Sequence, residues 1–373
     1  MERCVSYLSD SRTIFVLDIP SSIEIANGRG RRLSSSPPPV EPYVTPEPKG
    51  KKREAFLKKL PPREIQYHET IQLAIKKALQ SFHDHQNPVQ WCFPRLLDSH
   101  AESAEQKATA VRHREQRPFP PVVLSSLPSH FNSLSEIQNV LVCHESQTPT
   151  DLFICDDTSF FIPQNSTFIW SSIESALQVL DDFTQKSRTG PKFDLILMDP
   201  PWSNRSVRKA RTYSTMEVQE ADPFEQALQL VDSYSNQHSY VAIWVTNKLA
   251  ISQRVRASMQ EREFVLAEEW IWTKVTTKGE PVTPLSGLWR KPYEVMFLFK
   301  HRSPFCIPSH RFIFAVPDLH SRKPNLKSMF DTLLGPQKVL ELFARNLTSS
   351  WWSFGDEVLK YQDSKLWSNI EHT

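Results

Sequence analysis

The chain has 373 residues and a mass of 43.2 kDa, with 39% apolar and 23% charged residues; at ~150 residues per domain this allows two domains, or one domain with arms. The formal net charge is only +2, so bulk charge does not argue for a polyanionic partner, and any such argument rests on local patches. Glycine is scarce, 8 against 29 prolines, and the absence of both Gly-x-Gly-x-x-Gly and Gly-x-x-x-x-Gly-Lys-Ser/Thr runs excludes a dinucleotide fingerprint and a P-loop.

At the N-terminus, Asp10 and the short apolar stretch Thr13–Leu17 do not make a secretory signal, and no stretch approaches the ~18 apolar residues that a membrane span needs. Cys4, Cys92, Cys143, Cys155 and Cys306 are odd in number and hold no Cys-x-x-Cys pair. That speaks against a disulfide framework or a zinc ribbon and for a reducing compartment, so the chain reads as soluble and intracellular. Residues 28–62 read as a disordered or linking stretch, because Pro37, Pro38, Pro39, Pro42, Pro46 and Pro48 forbid helix and sheet. Within it Arg29, Arg31 and Arg32 precede Lys49, Lys51, Lys52, Arg53, Lys58 and Lys59. Such runs suit a nuclear-import signal or a phosphate-binding arm, and equally a plain solvated charge run. Residues 1–60 are thus expected to be a basic, Pro-rich, disordered arm. From Glu64 to Phe82 the spacing of Ile65, Ile71, Ala74, Ile75, Ala78 and Leu79 predicts a one-faced helix. A polar segment, 99–119, follows it, so 61–150 reads as a helical accessory region and linker.

Residues 151–373 have a different pattern. Apolar runs at Thr167–Trp170, Phe193–Met198, Tyr240–Val245, Phe264–Val275, Tyr293–Phe299, Arg311–Val316 and Val339–Phe343 predict strands, and Pro223–Tyr234, Leu249–Gln260 and Asn325–Leu334 predict helices. Continuous apolar strands separated by helices imply an α/β domain with a mostly parallel sheet covered on both faces. Phe264 to Phe299 departs from this, as two strands with a long helix-free loop. In such a sheet ligands bind beyond the carboxyl ends of the strands.

The run Phe193–Met198 ends in Asp199-Pro200-Pro201-Trp202. Two prolines stiffen the turn and remove two backbone donors, which leaves the Asp199 carboxylate and the carbonyls of Asp199 and Pro200 without local N–H partners, facing the strand-end crevice. A rigid cluster of acceptors suits a ligand that donates two hydrogens from one nitrogen, such as an exocyclic amine, and Trp202 offers a face on which a base can stack. The competing reading is a structural Pro-Pro turn with a core tryptophan.

Further motifs follow one another in order: Ile162-Pro163 with Phe168-Ile169-Trp170-Ser171-Ser172-Ile173, then Asp199 to Trp202, Trp244-Val245-Thr246-Asn247-Lys248, Arg290-Lys291-Pro292-Tyr293-Glu294, Ser321-Arg322-Lys323-Pro324, and Glu341-Leu342-Phe343-Ala344-Arg345-Asn346. In this series the chain, over about 150–373, resembles the MT-A-seventy family of adenine-N6 methyltransferases, in its methyltransferase-like protein four branch. The resemblance implies a Rossmann-like fold using S-adenosylmethionine, with the catalytic motif placed before the main cofactor-binding strand. It implies that Lys323 holds the methionine carboxylate, that Glu341, Arg345 and Asn346 hold ribose or amino groups, and that Gly355, Asp356 and Glu357, with Ser172 and Ile173, approach the adenine and ribose. Two positions depart from the relatives of the mRNA-modifying type, Ser172 in place of Asp and Asp356 in place of Asn.

The reaction expected is direct displacement of methyl onto the adenine amine, with Asp199, Pro200, Pro201 and Trp202 as the catalytic set and no metal required. After Trp202, Arg205, Arg208, Lys209 and Arg211 precede the first acid at Glu217. A basic loop ending in Tyr213 suits a lid on a phosphodiester strand, or is a loop that is basic by accident. With Asn247, Arg290 and Lys291 these residues make the expected substrate-binding set, and Trp289 and Lys274 join the opposite rim. RNA is the expected partner, and the branch suggests small nuclear RNA, including 2′-O-methyladenosine. DNA adenine is the alternative, a catalytically silent scaffold the third reading, and the nucleus the expected location, with the cytoplasm as well. No protein partner and no membrane is implied.

Overall fold

The computed structural model describes residues 4–28, 30–84, 89–97, 120–155, 158–187, 190–202, 222–304 and 307–369. In chain order the strands are β1 (Val5–Leu8), β2 (Ile14–Leu17), β3 (Arg31–Ser35), β4 (Leu96–Leu97), β5 (Val122–Leu124), β6 (Ser129–Phe131), β7 (Leu141–His144), β8 (Thr150–Ile154) and β9 (Thr158–Ile162). They continue as β10 (Thr167–Trp170), β11 (Phe193–Met198), β12 (Ser235–Val245), β13 (Phe264–Lys274), β14 (Tyr293–His301), β15 (Ser309–Ala315), β16 (Val339–Leu342), β17 (Trp352–Gly355) and β18 (Trp367–Asn369). Twelve of them form one sheet in the order β1-β2-β15-β13-β14-β12-β11-β16-β17-β10-β7-β5, beside two three-stranded sheets, β18-β3-β4 and β6-β8-β9. Within β10-β17-β16-β11-β12-β14-β13 all strands run parallel except β14. This is the mostly parallel α/β sheet that the alternation of apolar runs and helices predicts, in keeping with the Rossmann-like fold that the resemblance implies.

The strand alternation of period two splits the core into two faces. Ile196 and Met198 of β11, with Ile243 of β12 and Leu342 of β16, pack under the helices Pro62–Gln80, Ile173–Ser187, Pro223–Tyr234 and Leu249–Gln260. Leu195 and Leu197 point the other way, with Trp244, Trp270 and Met296, toward the helices Ile19–Ala26 and Lys327–Leu334. Asp222 caps the helix Pro223–Tyr234 by accepting the Phe224 N–H at 2.9 Å, with Pro223 in the first turn, where a proline sacrifices no intrahelical bond.

The expected disordered arm over 1–60 is corrected for its first half. β2 pairs parallel with β15, so the N-terminal hairpin extends the main sheet. Phe15, Leu17, Ile19 and Ile23 are all fully buried or nearly so. Arg31 and Arg32 of the first basic run are spent within the fold, Arg31 on Asp151 at 2.8 Å and Arg32 on Glu24 at 3.1 Å. The prolines that follow are real chain breakers, and they occupy the extended segment between β3 and the helix Gly50–Leu57. The four-residue strand β17 was not legible as an element, because it offers only Trp352 and Phe354 as apolar signal; the helix Ile173–Ser187 was missed although Ile173, Ala176 and Leu180 are spaced for one buried face.

Burying Phe15, Leu17, Ile19 and Ile23 is worth about 1.5–3 kcal/mol each, which together rivals the ~5–15 kcal/mol that holds a domain folded. Deleting residues 1–35 is therefore expected to abolish cooperative folding, and Phe15→Ala to cost about 3–5 kcal/mol. Thermal and denaturant melts check both; a deletion that melts like the full chain would contradict the integration of this segment.

Candidate active site

β11 leads on to β12 on one side of itself, whereas β16 leads on to β17 on the other, so the direction of strand addition reverses between β11 and β16. A sheet opens its ligand crevice at such a switch point, beyond the carboxyl ends of the strands. Met198 lies opposite Leu342 in the register, so Asp199 and Phe343 are the first residues to leave the two strands. Phe343 holds φ at 58° and Ser321 at 65°, left-handed conformations that side-chain-bearing residues adopt at a cost and that recur where geometry is functional. Gly355 permits the turn after β16 to come close, since a Cβ there would lie 2.9 Å from the Ala344 carbonyl oxygen and 3.0 Å from its nitrogen.

A crevice of about 540 Å³ opens there, lined by Leu197, Asp199, Trp244, Ser321, Lys323, Pro324, Asn325, Leu326, Glu341, Phe343, Arg345, Asn346, Trp351 and Tyr361. Asp199, whose side chain is 27% exposed, lies 3.6 Å from the Lys323 ammonium and 3.7 Å from the Arg345 guanidinium. The pairs continue outward on both sides. Lys323 also binds Glu294, which Lys274 meets at 2.7 Å; Arg345 meets Glu357 at 3.0 Å, and Glu357 meets Lys360 at 2.8 Å. The result is a chain of alternating charge: Lys274, Glu294, Lys323, Asp199, Arg345, Glu357, Lys360. Burial pushes the Asp199 carboxyl up against the opposing pull of Lys323 and Arg345. Burial works on Glu294 in the same sense but is outweighed by Lys323 and Lys274, which hold it at about 2. Lys323 additionally sits 4.7 Å over the Trp244 ring.

Glu341 behaves differently. Burial and the nearby Asp199 raise its carboxyl to about 8, against the pull of Arg345, so at neutral pH it carries a proton. Its Oε2 is buried without a hydrogen-bond partner, as is Ser353 Oγ, which lies opposite it on β17. Buried polar atoms are nearly always partnered, and this orphan lies in the crevice wall. A ligand carrying a carboxylate, an amine and a diol finds complementary groups here: Lys323 and Arg345 for the anion, Glu341 and the Asn346 amide for hydroxyl or amino hydrogens.

The remaining expected residues divide into three groups. Ser172 sits at the N-terminal end of the helix Ile173–Ser187, where its hydroxyl accepts the Ser175 N–H at 3.2 Å, and Ile173 is buried. They adjoin Asp356 through two bonds: Trp170 Nε1 donates to the Asp356 carbonyl at 2.8 Å and the Ser171 N–H to the Gly355 carbonyl at 3.3 Å. This group stands at the neighbouring strand ends, beside the crevice lining rather than in it. Asn247 follows β12 and donates from Nδ2 to the Tyr293 carbonyl at 2.8 Å. Arg290 and Lys291 belong to the β13–β14 connection. Arg205, Arg208, Arg211 and Tyr213, and with them the expected basic lid, lie outside the described residues.

Two expectations about the Asp199 turn are corrected. The Pro200 carbonyl does have a local partner, the Trp202 N–H at 2.8 Å; a carbonyl has two lone pairs, so one acceptor site stays open. Trp202 is not a freely presented face, because its Nε1 donates to the Trp244 carbonyl at 2.9 Å and its ring meets Phe224 at 5.1 Å.

Sequence reasoning missed Glu294, Ser321, Asn325 and Tyr361 as site residues. Glu294 was detectable as a lone acid opening an apolar strand. His68 was not, since nothing in an amphipathic helix singles out one histidine. It is buried in the helix Pro62–Gln80, with Nε2 3.1 Å from the Asn247 carbonyl and Nδ1 2.8 Å from the Tyr293 hydroxyl. The carbonyl can only accept, so Nε2 carries the proton and Nδ1 accepts from tyrosine. Burial and the charge of Lys291 lower this imidazole to about 4, which keeps it neutral. The accessory helix thereby holds the loop that follows β12.

Residues 193–357 match the MT-A70 family. The N6-methyladenosine RNA methyltransferase MTA1 of Cryphonectria parasitica is 30% identical over 389 residues, covering 98% of this chain and 94% of its own. The human N(6)-adenine-specific methyltransferase METTL4 is 31% identical over 281 residues, 66% of this chain and 57% of its own. A DNA N6-methyl methyltransferase of Caenorhabditis elegans is 31% identical over 248 residues, 64% of each chain.

Glu341 allows a test of this electrostatic arrangement. Its carboxyl is raised from an ordinary 4.5 to about 8. Between those values the unfolded chain releases the proton and the folded chain keeps it, so stability falls as pH rises through that window. Glu341→Gln removes this slope: stability matched to wild type near about pH 4, and a gain on the order of 2–4 kcal/mol by about pH 8. Denaturant melts across pH check it, and a difference independent of pH would contradict the protonated state.

Proposed function

The chain belongs to the MT-A70 family of methyltransferases, and we propose that it transfers a methyl group from S-adenosylmethionine to the N6 amine of adenine in RNA. The observation that carries this reading is the Asp199 turn at the switch point, where a carboxylate and a proline carbonyl share one crevice with Lys323, Glu341, Arg345 and Asn346. S-adenosylmethionine supplies a methyl on a sulfonium, which leaves as a neutral thioether. Lys323 donates to Glu294 and stands 3.6 Å from Asp199, so among the described residues it keeps donor capacity for the methionine carboxylate. Glu341 and Asn346 take hydroxyl or amino groups, and Asp356 with Ser172 borders the base at the adjoining strand ends.

The adenine amine is a poor nucleophile, because its lone pair is delocalised into the ring. Asp199 and the open lone pair of the Pro200 carbonyl accept its two hydrogens, which favours a pyramidal nitrogen and fixes its direction of attack. Orientation of this kind supplies several kcal/mol. As the nitrogen becomes positive, the Asp199 carboxylate is already in place, held by two cations and needing no reorganisation. Trp202, locked by Trp244 and Phe224, keeps the turn from relaxing. The proton leaves afterwards to solvent.

RNA is favoured over DNA because the relative named for RNA aligns along almost the whole of both chains, including the N-terminal region, whereas the relative named for DNA aligns over 64% of each. That partial match keeps DNA adenine as the second reading. Both are tested by methyl transfer from labelled cofactor to matched RNA and DNA oligonucleotides, with and without 2′-O-methyladenosine. Wild type is expected to label N6 of adenine in RNA, and Asp199→Ala to lower the rate by at least about 10²-fold. Label on DNA alone would move the reading to DNA; no label, with cofactor bound, would leave a scaffold.

A further inference from the structure

The segment after β3 runs across the connection between β13 and β14 and is tied to it. Thr277 N–H donates to the Pro39 carbonyl at 3.0 Å and Tyr43 N–H to the Val282 carbonyl at 2.8 Å. The Glu47 carboxylate accepts the Leu288 and Trp289 N–H groups at 2.8 and 3.3 Å, which fixes the backbone beneath Trp289. The helix Gly50–Leu57 then stands on the surface with none of its eight residues buried, too short to be held by helix propensity. Between them Pro46, Glu47, Pro48, Lys49, Lys52, Phe56 and Trp289 line an open surface groove. Its indole is 57% exposed, an unusual state for so large an aromatic side chain.

The groove alternates aromatic and cationic surface. Trp289, Phe56 and two prolines share the lining with Lys49 and Lys52, while its one acid, Glu47, is turned onto backbone N–H groups. An acidic peptide would meet the cations but leave the indole face open; a single nucleic-acid strand presents a planar base and a phosphate in each repeat. Trp289 is also only five residues from Glu294 of the crevice network, hence within about 18 Å of it even at full extension, and Arg290 and Lys291 carry positive charge along that path.

We propose that this groove binds a single-stranded stretch of the substrate flanking the target adenosine, one base lying on Trp289 and the adjoining phosphates on Lys49 and Lys52. It rests on the RNA reading above and adds a second point of attachment outside the crevice.

The test uses the full chain and a fluorescent single-stranded RNA containing the methylated site, read by anisotropy over a salt series. Trp289→Ala is expected to weaken binding about 5- to 150-fold, the effect of removing one stacking partner, and Trp289→Phe to restore most of it. Lys49→Glu with Lys52→Glu is expected to weaken binding and to flatten the salt dependence by roughly 1.4 in the logarithmic slope. Cofactor affinity and melting temperature serve as fold controls; should Trp289→Ala lower the latter, the exposed lysine pair decides. Variants that bind as wild type does, while wild type methylates RNA, would overturn the groove and leave the function standing. Wild type that neither binds nor methylates RNA overturns both.

Discussion

Asp199 stands between Lys323 and Arg345, cations that reach it from two later segments of the chain. Burial raises this carboxyl, and the two cations pull against that rise. Each neighbour is in turn held by an acid, Lys323 by Glu294 and Arg345 by Glu357, so opposite charges alternate outward from the centre. The loop that brings Lys323 is anchored from below: Arg322 is buried on Asp318 at 2.6 Å and stacks 4.6 Å over Tyr361, and Arg95 reaches the same Asp318 at 3.7 Å. One residue of the Ser-Arg-Lys-Pro run is thus spent on positioning so that the next can face the crevice.

The N-terminal third of the chain supports this centre. β2 widens the sheet at β15, the helix Ile19–Ala26 covers one face, and the helix Pro62–Gln80 covers the other. His68 on that second helix grips both the loop after β12 and the start of β14. The accessory region and the methyltransferase sheet therefore share a core over these contacts. The near full-length match to the Cryphonectria parasitica relative agrees with a body that includes these segments.

Much of the sheet and the centre of the site were legible because they rest on local signals. Phe193–Met198 is a continuous apolar run ending in two prolines, and both its element and its exposed end follow from that. Lys323, Glu341 and Arg345 came through motif order, and the structure brings them into one crevice with Asp199. What escaped detection depends on distant partners. Phe15 and Leu17 look like part of a weak four-residue strand until β15 lies beside them. The partner of the Pro200 carbonyl is set by how tightly the turn closes, and the locking of Trp202 by where Trp244 and Phe224 arrive. Prolines and basic residues argued for disorder over 1–60, yet Arg31 and Arg32 are committed to Asp151 and Glu24, acids that no local pattern pairs with them.

The order of the strands has a bearing on how the chain comes into being. β16 and β17 lie between β10 and β11, but a ribosome makes both flanking strands first. Until the segment through Gly355 has emerged, β11 offers Leu195, Ile196 and Leu197 along an unpaired edge, and β10 does the same with Phe168 and Ile169. Such edges are templates for pairing with other chains, and a nascent polypeptide holding them open is exposed to misassembly. The strand pair that completes the catalytic crevice is thus also the last closure of the sheet, so a chain cut short before β16 lacks the seam that seals its two halves.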